Sequence, residues 1–74
     1  MMHIGNRIKE ILGEKGRTAI WLASQIPCER SNVYHIFRRE DINVKLLCRI
    51  SAILGYNFLV ELSEEMQNEL DGKE

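Results

Sequence analysis

The sequence predicts an all-α fold, a compact domain of four to five helices. In several segments the apolar residues recur at intervals of three and four, the spacing of one face of a helix. Glycine, proline, threonine and asparagine separate these segments, and they are residues that start or stop helices. Only residues 56–62 also allow a short strand.

Size and composition indicate one ordinary globular domain. The chain has 74 residues, of which 45% are hydrophobic and 28% charged, so a disordered chain is excluded. No apolar run approaches the ~18 residues that a membrane span requires. The first ten residues contain no apolar signal region, and we therefore expect a cytoplasmic protein without a membrane partner.

The first helix is expected over Ile4 to Lys15, where Gly13 and Gly16 weaken it. Its apolar stripe consists of Ile4, Ile8, Ile11 and Leu12. Thr18 is a good N-cap for a second helix, which ends at Ile26 because the following proline disfavours a helical backbone there. The inner face of this helix consists of Ala19, Leu22, Ala23 and Ile26.

The third helix is expected to begin near Glu29. Its inner stripe consists of Val33, Ile36 and Phe37. At about 100° per residue, the opposite face carries Ser31, His35 and Arg38, flanked by Tyr34.

Asn43 is expected to cap a fourth helix, VKLLCRISAIL, which Gly55 ends. This segment is apolar nearly all the way round, and only Lys45, Arg49 and Ala52 mark an outer strip. We therefore expect it to be the central and most buried helix.

The segment after Gly55 is ambiguous. In YNFLVEL the residues Phe58, Val60 and Leu62 alternate with Leu59 and Glu61, which allows a strand, yet a helical turn fits equally well. The stretch SEEMQNELDGKE is polar and acidic, either a tail or a frayed helix. We divide the chain into a domain over residues 1–62 and an acidic C-terminal tail over residues 63–74.

The formal net charge of −1 conceals a split. Residues 1–55 contain nine Lys and Arg against five acids, giving +4, and residues 56–74 contain one Lys against six acids, giving −5. A basic body with an acidic end suits a body that meets a polyanion. A solvated body with a solubilising tail would have the same charges.

The expected core contains twelve apolar residues: Ile8, Ile11, Leu12, Leu22, Ala23, Ile26, Val33, Ile36, Phe37, Leu47, Ile50 and Leu54. Cys28 and Cys48 do not make a disulfide framework and are read as small apolar residues. A metal site formed by these two cysteines and His35 would lack a fourth ligand and matches no zinc spacing. We expect no cofactor.

The stretch from Ala19 to Arg38 resembles the helix-turn-helix of the Xre/Cro-type, phage-repressor-like family. The matching positions are Leu22, Ala23, Ile26, Cys28, Val33 and Ile36. LCRISAILG is similar to that family's Leu-rich fourth helix, and the resemblance spans roughly residues 4–62. It implies that the third helix lies in the major groove of double-stranded DNA.

The sequence departs from the family at the turn, where Pro27 stands at the usual glycine. That glycine commonly adopts a left-handed backbone, which proline cannot adopt because its φ is fixed near −65°. We expect the turn to survive in a different conformation, with Glu29 capping or opening the third helix.

The resemblance and the chemistry of the third helix give the candidate contacts. The expected base-contacting residues are Arg30, Ser31, Asn32, Tyr34 and His35, and the expected phosphate-contacting residues are Thr18, Arg38 and Arg39. Alternatively, Arg30 pairs with Glu29, and the side chains of Ser31 and Asn32 bond the local backbone. Ile20 and Trp21 point away from the inner stripe and are expected to be covered by the tail or another helix. Alternatively, an exposed Trp21 anchors a partner protein.

The expected function is a sequence-specific transcriptional regulator, most simply a repressor. The alternative is a protein-interaction module such as the antitoxin of a toxin–antitoxin pair. An enzyme is not expected, because no catalytic arrangement or phosphate-cradling glycine loop is present. The family generally binds DNA as dimers, and the apolar residues within 56–66 suit a homodimer interface, although they could instead close the monomer.

Overall fold

The protein's structure, a computed structural model, describes residues 2–72, and this part of the chain forms five helices and no strand. The helices are α1 (Ile4–Glu14), α2 (Ala19–Gln25), α3 (Arg30–Arg38), α4 (Val44–Leu54) and α5 (Phe58–Asp71). The predicted all-α class is confirmed. The expected bounds of the first three helices differ from these by one residue, and those of α4 agree.

Side-chain caps explain where most of the helices begin. His3, Thr18, Asn43 and Asn57 each precede a helix and accept a hydrogen bond from a backbone N–H of its first turn. These bonds satisfy donors that have no partner within the helix. Glu29 occupies the N-cap position of α3, but its side chain makes no capping bond, so it opens this helix without capping it.

One apolar core joins the helices. Eleven of the twelve expected core residues are buried, and Ile26 is half-buried at the end of α2. The core also contains Ile4 at the start of α1 and Phe58 at the start of α5. Within it, α3 packs against both α1 and α2, and α4 packs against α5.

The prediction that α4 is the most buried helix is wrong. α4 buries only Leu47, Ile50 and Leu54, whereas α1 buries five residues. Val44 is 65% exposed, and Cys48 and Ala52 are also exposed. A chain of this size has too little material to cover both sides of a helix. The outer side of α4 is therefore apolar and uncovered by the described chain.

The start of α1 is joined to the loop that follows α3. The N–H groups of Ile4 and Gly5 donate to the carbonyl oxygens of Glu40 and Arg39, at 3.1 and 2.9 Å. A Cβ on Gly5 would lie only 2.3 Å from the carbonyl oxygen of Ile36. Glycine is needed here because the two backbones approach so closely. We call these two hydrogen bonds the clasp.

The ambiguous segment after Gly55 is helical. Gly55 ends α4 with a left-handed φ of 64°, and Asn57 caps α5 two residues later. α5 then runs for 14 residues without a break, across the expected boundary between residues 62 and 63. Phe58 is its one buried residue.

The last part of α5 projects from the body. Residues 66–71, here called the arm, are all exposed. The molecule measures 45 × 20 × 20 Å, and its radius of gyration of 13.1 Å exceeds the about 11 Å expected for a compact chain of this length. A projecting helix end accounts for this elongation.

A polar cluster holds the start of α5 against α1. The guanidinium of Arg7 donates to the Glu61 carboxylate at 2.7 and 2.9 Å and to the Tyr56 hydroxyl at 3.0 Å, and that hydroxyl also donates to Glu61. The hydrogen bonds from Arg7 lower the pKa of Glu61, while the bond to Glu61 raises the pKa of Tyr56. Glu10 accepts a further bond from Arg7. α5 is thus attached at its first turn, by Phe58 and this cluster.

Candidate nucleic-acid interface

The corner between α2 and α3 forms without a left-handed residue. α2 ends at Gln25, and its C-cap residue Ile26 has φ and ψ of −86° and 1°. Pro27 follows, and the N–H of Cys28 donates to the carbonyl oxygen of Ala23 at 3.0 Å. Among residues 2–72, only Gly16 and Gly55 have positive φ. The proline therefore fits the corner, and α2 packs against α3 with the small side chain of Ala23 buried.

The outer face of α3 carries short polar and basic side chains. Val33, Ile36 and Phe37 anchor the opposite side in the core. Ser31, His35 and Arg38 point outward within about 60° of one another and are all exposed. These three residues form the centre of the candidate interface.

The remaining expected base-contacting residues lie on the two flanks of this face. Arg30 and Tyr34 occupy one flank and Asn32 the other, about 160° from Arg30 around the helix. Asn32 and Arg30 therefore do not share one face. The Tyr34 ring packs edge-on against Phe37, with 6.0 Å between ring centroids, so its position is supported by the core.

The backbone of Arg39 is fixed by hydrogen bonds, whereas its side chain is exposed. It is the C-cap residue of α3, and its carbonyl oxygen accepts one bond of the clasp. Its guanidinium lies 3.9 Å from Asp41, with side chains 58% and 96% exposed. Such an exposed ion pair contributes little, so the side chain can turn to another anion.

Thr18 stands at the start of α2, where its Oγ1 accepts from the N–H of Trp21 at 3.1 Å. A hydroxyl that accepts can still donate, so this residue can bond a phosphate while it caps the helix. The neighbouring Arg17 places its guanidinium 4.6 Å from the centroid of the Trp21 ring. Arg17 was not among the expected contacts, although its position directly before the N-cap could have suggested it.

Trp21 and Ile20 of α2 differ in how far the rest of the chain covers them. Trp21 is half-buried, and with Ile53 and Leu54 of α4 it lines a depression of about 160 Å³. Another helix covers it, as expected. Ile20 is 59% exposed, so the expectation that it is covered is wrong.

The charges of the chain are separated in space as well as in sequence. Arg17, Arg30, Arg38 and Arg39 lie exposed on or beside the α2–α3 pair, among Glu29, Glu40 and Asp41. The five acids of residues 61–71 lie on α5, which packs against α4 and bonds α1. The candidate interface is therefore more basic than the arm.

Residues 2–72 form neither a metal site nor a membrane-spanning helix. No three histidine, cysteine or acidic side chains come close enough together there to hold a metal ion, and Cys28 and Cys48 are both free thiols. Cys28 is half-buried, whereas Cys48 is exposed rather than a core residue. No helix in the described part of the chain combines the length and apolarity needed to cross a membrane.

The chain was compared with family models, curated proteins and solved structures, and none of the three comparisons gives a match.

Proposed function

We propose that this protein is a sequence-specific DNA-binding transcriptional regulator of the phage-repressor type, with α3 lying in the major groove. The observation that supports this most is the outer face of α3. It carries hydrogen-bonding and basic side chains, while the other side of the same helix is fixed in the core. The major groove admits one α-helix and displays a distinct set of donors and acceptors for each base pair.

The residues of the interface have different roles in this proposal. Ser31 and His35 read base edges from the centre of the face, and Arg30 and Tyr34 contact bases at its flank. Asn32, on the other flank, reaches bases only if the helix is rotated in the groove. Arg38, Arg39 and Thr18 contact phosphates, and Arg17 joins them because it adjoins Thr18.

The simplest mode of action is repression by occupancy of a promoter. A single module covers roughly 600–1,000 Å², which is small for tight specific binding. Two copies on half-sites about 34 Å apart would supply the rest. The homodimer would use the side of α5 within residues 56–66 that carries Leu59 and Met66, both exposed and apolar.

The first test is a selection of binding sites from random duplex DNA, followed by titration of the enriched sequence at several salt concentrations. We expect one enriched sequence and an affinity that falls steeply with salt. Replacement of Arg38 by Ala should reduce the slope of log K against log salt by about one, whereas replacement of Lys9, exposed on α1, should leave it unchanged. No enrichment, with binding that is absent or insensitive to salt, would contradict the proposal.

An alternative function is a protein-interaction module such as an antitoxin that covers a toxin. The exposed apolar side chains of α5 favour it, because such side chains often mark a protein interface. Purified protein that binds no DNA but forms a stable complex with another protein of its own cell would support this alternative. Antitoxins of this kind usually bind DNA as well, so the DNA titration is the first experiment for both.

A further inference from the structure

The uncovered side of α4 is an apolar surface formed by Val44, Cys48 and Ala52, here called the α4 face. These residues follow one another at intervals of four and therefore lie on one side of the helix. The opposite side packs into the core through Leu47, Ile50 and Leu54. A helix that is apolar nearly all the way round is normally buried on every side. One side of α4 thus lacks the cover that its composition requires.

A second apolar surface runs along α5. Leu59, Met66 and Leu70, here called the α5 stripe, are 37%, 45% and 54% exposed. Their spacing of seven and four residues keeps them within about 40° of one another around the helix. The last two belong to the arm, whose residues are all exposed.

The two surfaces face the same side of the molecule. Leu59 lines a shallow depression of about 400 Å³ together with Cys48, Ser51 and Ala52 of α4. Since Met66 and Leu70 share the side of Leu59, the α5 stripe continues the α4 face out along the arm. The result is a flat apolar region on the body and a projecting apolar helix beside it.

The charges at the edges of these surfaces are opposite in sign. Lys45 and Arg49 stand one turn apart next to the α4 face and line a common depression. Beyond Glu61, which is bonded to Arg7, α5 contains four acids and no base up to Asp71. The basic edge of the α4 face is therefore complementary in charge to the acidic part of α5.

We propose that the arm of one copy packs across the α4 face of a second copy, and reciprocally, in a two-fold dimer. Met66 and Leu70 then cover Val44, Cys48 and Ala52 of the partner, and the acidic arm meets the partner's basic edge. An interface related by a two-fold axis must be complementary to itself, which one surface of each kind on every copy provides. The inference rests on the dimeric regulator proposed above and adds the surface through which it assembles.

The first test measures assembly without DNA, by sedimentation of the full-length protein at concentrations from micromolar upward. We expect a monomer–dimer equilibrium in the unchanged protein. Met66→Glu should raise the dimer dissociation constant at least about tenfold, because it places a charge in the covered stripe. The matched control is Val60→Glu: Val60 is 48% exposed on the same helix but lies about 100° from Leu59. It should leave the dimer unchanged.

The second test identifies the surfaces in contact by cross-linking. In a Cys28→Ser background, Cys48 is the only thiol. Adding Met66→Cys to this background should give a covalent dimer under mild oxidation, whereas adding Val60→Cys should give no more than the background protein alone. Circular dichroism of each variant checks that the helices remain formed.

The outcomes separate this inference from DNA binding. A protein that stays monomeric at about 100 μM, or one whose dimer responds to Val60→Glu and not to Met66→Glu, overturns the inference even if it binds DNA. A dimer that responds as expected but binds no DNA leaves the inference standing and contradicts the regulator. If a different protein covers the α4 face in the cell, this protein would also be a monomer when purified alone.

Discussion

At the scale of single residues, the tightest constraint on the chain is the contact of Gly5 with the end of α3. The carbonyl oxygens of Ile36, Phe37 and Arg39 lie 2.3, 2.5 and 2.7 Å from the position that a Cβ would take. These are backbone atoms at the end of a helix and cannot turn aside as a flexible side chain would. Sequence reasoning did not single out Gly5, because nothing in the local sequence indicates a contact with residues more than thirty positions away.

Gly5→Ala should therefore lower the free energy of unfolding by about 1–3 kcal/mol, the usual cost of forcing extra atoms into a packed site. Gly13→Ala is the matched control in the same helix: apart from the local backbone, no atom lies within 4 Å of its Cβ position, and alanine should stabilise the helix by about 0.5–1 kcal/mol. Urea unfolding followed by circular dichroism measures both changes. A neutral Gly5→Ala would mean that α1 does not approach α3 this closely.

Glu61 makes part of the stability depend on pH. Arg7 lowers the pKa of this carboxyl below its ordinary value of about 4.5. The stabilisation is therefore complete above that value and is lost as the pH falls through the lower pKa of the folded state. Glu61→Gln should weaken the fold near neutral pH and flatten the loss of stability between about pH 5 and 3. Thermal unfolding across this range measures both effects, and Glu64→Gln, at an exposed position of the same helix, should change neither.

At the scale of the helices, capping accounts for the boundaries that could be predicted. Thr18 and Asn43 were expected to cap α2 and α4, and both do so. Prediction was weaker after Gly55, because the alternation of Phe58, Val60 and Leu62 fits a strand as well as it fits a helix. The cap at Asn57 favours the helix. Its side chain accepts hydrogen bonds from the N–H groups of Leu59 and Val60, which are N-cap bonds of a helix.

The N-caps of α3 and α4 differ, because the Glu29 side chain makes no capping bond and that of Asn43 makes one. Asn43→Ala should cost about 1 kcal/mol, because it leaves the N–H of Leu46 without its acceptor at 2.8 Å. Glu29→Ala removes no capping bond and should cost distinctly less. Chemical denaturation measures the two free energies, and equal costs would show that the caps do not contribute as the hydrogen bonds indicate.

For α4 and the candidate interface, the sequence predicts which residues share one face of a helix. It does not predict which faces the rest of the chain covers. The helical period correctly separates Ser31, His35 and Arg38 from the buried stripe of α3, because that separation depends only on the helix itself. The same period shows that α4 is apolar on all sides, but it does not show how many sides the rest of the chain can cover. Cys48 and Val44 were therefore misjudged. The place of Arg17 before the N-cap of α2 is visible in the sequence, but its contact with Trp21 depends on the fold.

At the scale of the whole molecule, the first half of α5 packs against the body, whereas its last described residues, 66–71, are exposed. Phe58 is fully buried and Glu61 is bonded to Arg7, whereas every residue of the arm is exposed. The division of the chain into residues 1–62 and 63–74 has a helix running across it. A cut in this helix therefore has different consequences on the two sides of residue 62.

Two truncated chains test this division. A chain that ends at residue 65 should keep the folded body, because it keeps Phe58 and Glu61. A chain that ends at Gly55 should be much less stable, since loss of a buried phenylalanine alone costs about 3–5 kcal/mol. Circular dichroism and thermal unfolding distinguish the two. Equal stability of the two chains would mean that α5 contributes nothing to the core.

The clasp has a consequence for how the molecule opens. Two hydrogen bonds tie residues 4 and 5 to residues 40 and 39, so α1, α2 and α3 lie within a single closed loop of chain. α4 and α5, which pack against each other, lie outside it. Contiguous units of this kind tend to open cooperatively and at separate free energies. In deuterated water, the amide protons of Ile4 and Gly5 should exchange together with those in the middle of α3, and α5 should exchange first, from its far end inward.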